Sequence, residues 1–285
     1  MSTAIEAREL VYTYEDGTRA LDAISLRGER GKITGILGAN GAGKSTLFLC
    51  LNGVITPQSG QVLLDGVPAR YDRRGLAQLR RQVGIVFQDP DDQLFSADVY
   101  RDISFGAVNL GLDEEEVRQR VEQAMARTGV SQLREKPTHA LSYGQKKRVA
   151  IAGVLVMQPQ VMILDEPTAG LDPQGVSDIL GLLEELRDSL GMTILIATHD
   201  MDLVPLYCDY AYVLSGGRMV LEGTPEQLFA RPEPLRSYHL RLPRIAHLME
   251  ILHDRDGLDT GPAAATIAAA RAEIRRLLEE HQSEP

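Results

Sequence analysis

Ile33-Thr34-Gly35-Ile36-Leu37-Gly38-Ala39-Asn40-Gly41-Ala42-Gly43-Lys44-Ser45-Thr46 is the stretch on which the reading of this chain turns. It opens on a strand-like apolar run, passes through a glycine-rich loop and enters a helix-like run, Leu47 to Leu51. That is the context a phosphate-binding loop requires. The glycines let backbone amides turn inward, and those amides with the helix N-terminus form an anion nest. Lys44 can then place a point charge on outer phosphates, and the Ser45 hydroxyl can ligate Mg²⁺.

Working outward, Val161-Met162-Ile163-Leu164 reads as a buried strand ending in two adjacent carboxylates, Asp165 and Glu166. Such a placement is costly unless each carboxylate has a partner. Asp165 is the candidate to hold a hydrated magnesium ion. Strand alternation turns Glu166 the other way, where it can take a proton from an attacking water as general base. A strand running into an acidic turn is common in isolation; beside the glycine-rich loop, the pair reads as chemistry. Leu141-Ser142-Tyr143-Gly144-Gln145 precedes a helical run from Lys146 to Met157, with Ser142 placed as N-cap. Such an N-terminus attracts phosphate, although alone it is only a capped helix.

Between and around these motifs the periodicity changes twice. Alternating runs near Ile24 and Leu26, and from Gln61 to Val67, predict antiparallel strands near the N-terminus. Val83 to Phe87, Val161 to Leu164, Thr193 to Ala197 and Ala211 to Leu214 are nearly all apolar, predicting a parallel core sheet covered on both faces. From Asp89 to Leu141 the spacing is helical, clearest where Val117, Val121, Ala124, Met125 and Thr128 follow an acidic turn, Asp113 to Glu116. This predicts an inserted helical lobe over residues 89–158. Ser215-Gly216-Gly217 predicts a hairpin. Prolines at 232, 234 and 243 break regularity and suggest a division into 1–232 and a mainly helical extension, 233–285. Ile267, Ile274, Leu277 and Leu278 lie at helical spacing, with Thr260 and Pro262 as the start signal beside a short alanine cluster, Ala263 to Ala270.

The 285 residues, 44% of them apolar, can bury one large core or two modest ones. No run approaches the roughly 18 to 20 apolar residues of a membrane-spanning helix. Glu6, Arg8 and Glu9 leave no basic-then-apolar leader pattern, so a cytosolic protein is expected. A net charge of -10 argues against general affinity for nucleic acid or anionic lipid. Cys50 and Cys208, far apart in apolar segments, suit small buried hydrophobes better than a disulfide or metal site.

Taken together the segments resemble the ABC ATPases. The resemblance rests on the loop at 38–45, Gln88 after a buried strand, the 141–145 segment as signature, Asp165-Glu166, Ala169-Gly170-Leu171-Asp172, and His199 after another strand. It covers about residues 1–230. It implies an α/β P-loop NTPase fold: a RecA-like mixed sheet core, an N-terminal antiparallel β subdomain, an inserted helical subdomain and a small C-terminal extension. It also implies an ATP hydrolase with Mg²⁺ as cofactor. Tyr14 would stack on adenine, and Gly38, Asn40, Gly41, Gly43, Lys44, Ser45 and Thr46 would bind ATP. Ser45, Gln88 and Asp165 would hold the metal; Glu166, His199, Gln88 and Lys44 would be catalytic. In that family the signature of one subunit closes over the nucleotide of another, so Ser142, Gly144 and Gln145 would act in trans and Asp172 would lie at the dimer interface. Tyr143 departs from the glycine commonest at its position, which should tune the signature without abolishing it.

Asp89-Pro90-Asp91-Asp92-Gln93-Leu94-Phe95, followed by Asp102-Ile103-Ser104-Phe105-Gly106 and Asn109-Leu110-Gly111-Leu112, is similar to the ATPases of energy-coupling-factor transporters, particularly the cobalt and nickel branch. There this stretch lines the groove for a membrane partner's coupling helix. The implied partners are ATP, a second ATPase subunit in a homodimer, a transmembrane coupling protein and, through it, a substrate-binding membrane protein, with no nucleic acid. The implied place is the cytoplasmic face of the cell membrane. Cobalt is the first expected cargo, then nickel, then a vitamin such as biotin. The aspartates around Pro90 read as a turn with solvated carboxylates, because no His or Cys accompanies them. His239, His247 and His253, spaced by eight and six, do not share a helical face as i, i+4 pairs would. The tail's apolar stripe suggests contact between two tails. A soluble ABC ATPase acting on DNA or ribosomes would carry a long coiled coil or two cassettes, and a non-hydrolysing sensor would lack a position such as Glu166 or His199.

Overall fold

The computed structural model describes residues 2–260 and 264–283, so Pro262 and Ala263 of the sequence reading lie outside the described residues. In chain order it contains β1 (Thr3–Thr13), β2 (Arg19–Glu29), β3 (Ile33–Leu37), α1 (Lys44–Asn52), β4 (Ser59–Leu64), β5 (Val67–Pro68), α2 (Arg73–Gln82) and β6 (Val83–Val86). There follow α3 (Val99–Asn109), α4 (Glu114–Arg127), α5 (Tyr143–Leu155), β7 (Val161–Asp165), α6 (Pro173–Leu190), β8 (Thr193–Thr198) and α7 (Val204–Tyr207). The chain continues through β9 (Tyr210–Ser215), β10 (Arg218–Gly223), α8 (Pro225–Phe229), α9 (Pro232–Ser237), α10 (Arg244–Asp254) and α11 (Ile267–Ser283).

Two sheets organise these elements. The first is antiparallel, ordered β2-β1-β4-β5; the second is ordered β10-β9-β3-β8-β7-β6. Within the second, β6, β7, β8, β3 and β9 are mutually parallel, and β10 closes the edge as the antiparallel arm of the Gly216-Gly217 hairpin. The continuously apolar runs are the central strands, because both faces of this sheet are covered. Alternate residues divide between two cores, as strand period requires. Met162, Leu164, Ile194 and Ile196 face a cluster shared with α3, α4, α5 and α6. Val161, Ile163, Leu195 and Ala197 face another, shared with α1 and the antiparallel sheet.

The helical lobe forms where the 3.6-residue period predicts it. In α4, Asp113 caps the start by accepting from Glu116 N at 2.9 Å, and Val117, Val121, Ala124 and Met125 are its buried face. Among the described residues no helix is long and apolar enough to cross a membrane. Burial pushes the thiols of Cys50 and Cys208 up to about 12, so both stay protonated at neutral pH and act as packing groups.

The tail differs from the sequence reading in two ways. Pro232 and Pro234 do not break a helix but start one, α9, and Pro243 is the residue before α10; proline's fixed φ suits a first turn, where no N–H partner is needed. The start of α11 is not at Thr260, whose hydroxyl instead donates to Met249 O at 3.1 Å, but at Thr266, which accepts from Ala269 N at 3.2 Å. The apolar stripe on α11 is helical as expected but uncovered within the chain, Ile267 being 73% exposed and Leu278 57%. Elsewhere the tail is rooted: Leu235, Leu240, Ala246 and Ala265 share a cluster with Leu37 of β3 and Val213 of β9. Leu235→Ala, at a side chain with no exposed surface, is expected to lower unfolding stability in a denaturant titration by about 2–5 kcal/mol.

Candidate active site

Parallel pairing brings the chemical groups together. Leu37, the last residue of β3, pairs with Thr198, and Asp165, the last of β7, pairs with Ala197. The loop 38–43, the Asp165-Glu166 pair and His199 therefore leave the same carboxyl edge of the sheet. The loop is glycine-bound for steric reasons. Gly43 has φ +108° and a Cβ there would stand 2.5 Å from Ala20 O; at Gly38 it would stand 2.4 Å from Leu214 O. Gly43 is also the N-cap of α1 and has no side chain to cap the helix, so the amides of the first turn are not claimed by a capping oxygen.

Lys44 is 7% exposed and donates to Gly38 O at 2.8 Å and Ala39 O at 3.3 Å, with Glu166 Oε1 3.7 Å from its ammonium. The other carboxylate oxygen, Oε2, lies 2.9 Å from His199 Nδ1. Glu166 is 5% exposed, and its Oε1 is buried without a hydrogen-bond partner. Strand alternation does not aim Glu166. The strand stops at Asp165, and Glu166 takes φ +45° while its N–H still donates to Ala197 O at 3.0 Å. A left-handed turn, not the pleat, aims the side chain, and left-handed backbone at a non-glycine residue is a strained arrangement that surrounding structure must hold.

Ser45 is exposed beside these groups and Asp165 is 7% exposed. A hydroxyl and a carboxylate with the Gln88 amide are hard oxygen donors of the kind Mg²⁺ takes, so the residues present fit that ion. Tyr14, 39% exposed, places its hydroxyl 2.8 Å from Thr46 Oγ1, and the edge-to-face contact with Tyr12, 5.0 Å between centroids, props the ring over the start of α1. Gln88 is exposed at the end of β6, and its carbonyl accepts from Tyr143 Oη at 3.3 Å.

One residue that the sequence reading assigned no role belongs to this neighbourhood. Lys147 is 1% exposed; its ammonium donates to Gln88 O at 2.5 Å and Glu166 O at 3.3 Å. Burial lowers it to about 8, against the opposing pull of Asp89, Asp165 and Glu166. The available signal was its spacing, since Lys147, Ile151 and Val154 share the buried face of α5. Asp102, also buried, accepts from Phe95 N at 2.9 Å and Ser96 N at 2.8 Å, fixing the turn that presents Phe95. Phe95 and Phe105 meet edge-on at 4.8 Å while remaining 65% and 49% exposed.

Ser142 caps α5 in a reciprocal box: its hydroxyl accepts from Gln145 N at 3.4 Å, and Gln145 Oε1 accepts from Ser142 N at 3.1 Å. The Gln145 oxygen is thus engaged within its own chain. A Cβ on Gly144 would meet only Leu171 at an ordinary 3.6 Å, so the chain's own packing does not demand glycine there. Asp172 caps α6, accepting from Gly175 N at 2.7 Å. No hydrogen bond or ion pair among the described residues joins Ser142, Gly144, Gln145 or Asp172 to the Lys44–Glu166–His199 group. The aspartates near Pro90 are not simply solvated: Asp89 caps a short 3₁₀ turn by accepting from Asp91 N at 3.0 Å, and Asp91 pairs with Lys146 at 2.5 Å. Among the described residues no group of three His, Cys, Asp or Glu is arranged to hold a metal ion.

Residues 21–169 match the family model described as ABC transporter. The chain belongs to that family. It is 57% identical over 270 residues to the energy-coupling factor transporter ATP-binding protein EcfA3 of Clostridium perfringens, covering 95% of each chain. To EcfA of Methanocaldococcus jannaschii it is 51% identical over 254 residues, covering 89% of this chain and 91% of the relative. The solved structure of cbiO1 from Clostridium perfringens, described as part of the ABC transporter complex cbiONQ, superposes with a TM-score of 0.76 at 58% identity, covering 88% of this chain and all of that one. A dimeric cassette, MJ0796, bound to ADP and phosphate in a post-hydrolysis state superposes with a TM-score of 0.70 at 25% identity, over 77% of this chain and 98% of that one. This ABC protein is accordingly an ATP-hydrolysing subunit of energy-coupling-factor type, with the cassette fold that the motifs imply. Gly43→Ala, which would force a Cβ against Ala20 O in left-handed backbone, is expected to lower stability by about 1–3 kcal/mol in thermal unfolding and to weaken ATP binding in calorimetric titration.

Proposed function

We propose that two copies of this chain bind two MgATP, close face to face, hydrolyse and reopen, and so drive an importer for a transition-metal ion at the cytoplasmic face of the membrane. The observation that carries the chemistry is the Glu166 carboxylate, held between Lys44 and His199 with one buried oxygen unpartnered. In the step proposed, a water oxygen attacks the terminal phosphorus of ATP, the bond to the bridging oxygen of ADP breaks, and the water proton goes to Glu166 Oε1. ADP and inorganic phosphate leave. Lys44 and the first-turn amides of α1 offset the charge on the phosphoryl oxygens. His199, 2.9 Å from Glu166, orients the carboxylate and reaches the terminal phosphate. Ser45, Asp165 and Gln88 would hold Mg²⁺, which would supply further charge neutralisation.

Pairing is supported by the open signature turn, where Ser142 is exposed and Gly144 has space above it. Lying in another subunit's site, that turn would bring its amides to a second nucleotide. The exposed Phe95–Phe105 pair, with Val108 56% exposed beside it in α3, suits an apolar helix of a transmembrane coupling protein. The resemblance of the Asp89–Phe95 stretch to the cobalt and nickel branch supports Co²⁺ as the proposed cargo, with Ni²⁺ or a vitamin such as biotin as the alternative. The cassette is assigned to 1–232, and the uncovered α11 stripe to contact between the two 233–285 extensions.

Glu166→Gln is expected to retain ATP binding, to lose about 10²–10⁴-fold in kcat, and to accumulate an ATP-bound dimer in sedimentation. Near-normal turnover in that variant would remove Glu166 from its role. For the cargo, the chain with its native membrane partners in vesicles is expected to take up labelled Co²⁺ in an ATP-dependent manner; uptake of Ni²⁺ or biotin instead would reassign it.

A further inference from the structure

The main-chain carbonyls of Gln88 and Glu166 bracket the proposed reaction site, and a single side chain from the signature helix grips both. Lys147 Nζ donates to Gln88 O at 2.5 Å and to Glu166 O at 3.3 Å from a position 1% exposed. A lysine that deep is costly to bury unless its donors are satisfied. Tyr143, one helical turn earlier, adds its hydroxyl to the same Gln88 carbonyl at 3.3 Å. Its ring lies against Gly170, where a Cβ would come within 3.0 Å of the ring edge, and the Lys147 ammonium stands 5.8 Å from the ring centroid. Tyr143 thereby touches the loop after β6, the loop after Glu166 and Lys147 at once. A glycine at 143 would make none of these side-chain contacts.

We propose that Lys147 and Tyr143 are positioning residues for hydrolysis: they tie the first turn of α5 to the main chain at Gln88 and Glu166, so the left-handed turn that aims the Glu166 carboxylate is held from the signature helix of the same subunit. The inference rests on the hydrolytic reading of Glu166 given above. Because the first turn of α5 is also the part proposed to face the other subunit's nucleotide, the clamp links one subunit's signature to its own catalytic carboxylate. Both side chains are engaged by main-chain carbonyls of their own subunit, so the consequence expected is for turnover and not for nucleotide affinity.

The test compares full-length wild type, Lys147→Met, Tyr143→Phe, the double variant and Glu166→Gln, each measured for kcat, KM for ATP and melting temperature. Lys147→Met is expected to lower kcat about tenfold or more, since the Gln88 and Glu166 carbonyls lose their shared charged donor, with KM within about twofold. Tyr143→Phe keeps the ring and removes only the hydroxyl; it is expected to lower kcat a few-fold, about two- to fivefold, with melting unchanged. Because both act on Gln88 O, the double variant should fall short of the product of the single effects. Normal kcat in both single variants overturns the proposal, as does a raised KM at unchanged kcat. Should Lys147→Met fail to fold, normal kcat in Tyr143→Phe and in Lys147→Gln overturns it, and reduced kcat at wild-type KM in them supports it. Loss of turnover in Glu166→Gln with normal Lys147→Met refutes the clamp alone; normal turnover in Glu166→Gln refutes the reading beneath it.

Discussion

The structure depends on burying Lys44, Asp165 and Glu166 at one sheet edge, each no more than 7% exposed. Uncompensated, any one of them would destabilise the fold by several kcal/mol. For Lys44 and Glu166 compensation is mutual and geometric: Lys44 lies on loop carbonyls and beside Glu166, and Glu166 also meets His199. The carboxyl edge is where this is achievable, since parallel strands release β3, β7 and β8 in the same direction and a helix N-terminus adds positive potential there.

The sheet can serve as that platform because its strands are anchored in apolar cores away from the site. Alternate residues of β7 and β8 root in two separate apolar cores, one under the helical lobe and one under the antiparallel sheet. The third cluster, built with the tail, covers Leu37 at the base of the glycine loop. The tail is thus a packing partner of the strand that launches the loop as well as the bearer of an exposed stripe.

How much of this was legible depended on whether a residue's role followed from its own segment. The glycine loop, the apolar central strands and the α4 face announce themselves through composition and period. The long helix α6 has a start signal in Asp172 and Pro173, but Asp172 also belongs to the Ala169–Asp172 motif, and the motif masks the cap. The aim of Glu166 is not legible from its segment, since strand alternation says nothing once the strand has ended and a left-handed turn begins. Lys147 was read as part of an ordinary helix; only the tertiary meeting of α5 with two loops shows where its ammonium goes. The tail prolines misled because proline ends helices in their interior and begins them at the first turn, and the pattern alone does not say which.

The site is asymmetric in its exposure to solvent. On the sheet side Lys44, Asp165 and Glu166 are buried, yet the opposite side is open: Ser45 is exposed and the His199 side chain is 63% exposed. Phosphoryl transfer relies on donors acting in a water-excluded site, where each is worth more than in bulk water. Among the described residues no element of the chain lies across the open side by hydrogen bond or ion pair. The capped but uncovered first turn of α5 has the complementary property, an anion-attracting end with no anion of its own chain to meet. Two such half-sites satisfy each other when two copies face in opposite directions, which is the arrangement an isologous dimer provides. On this argument the proposed pairing follows from the electrostatics of each half-site.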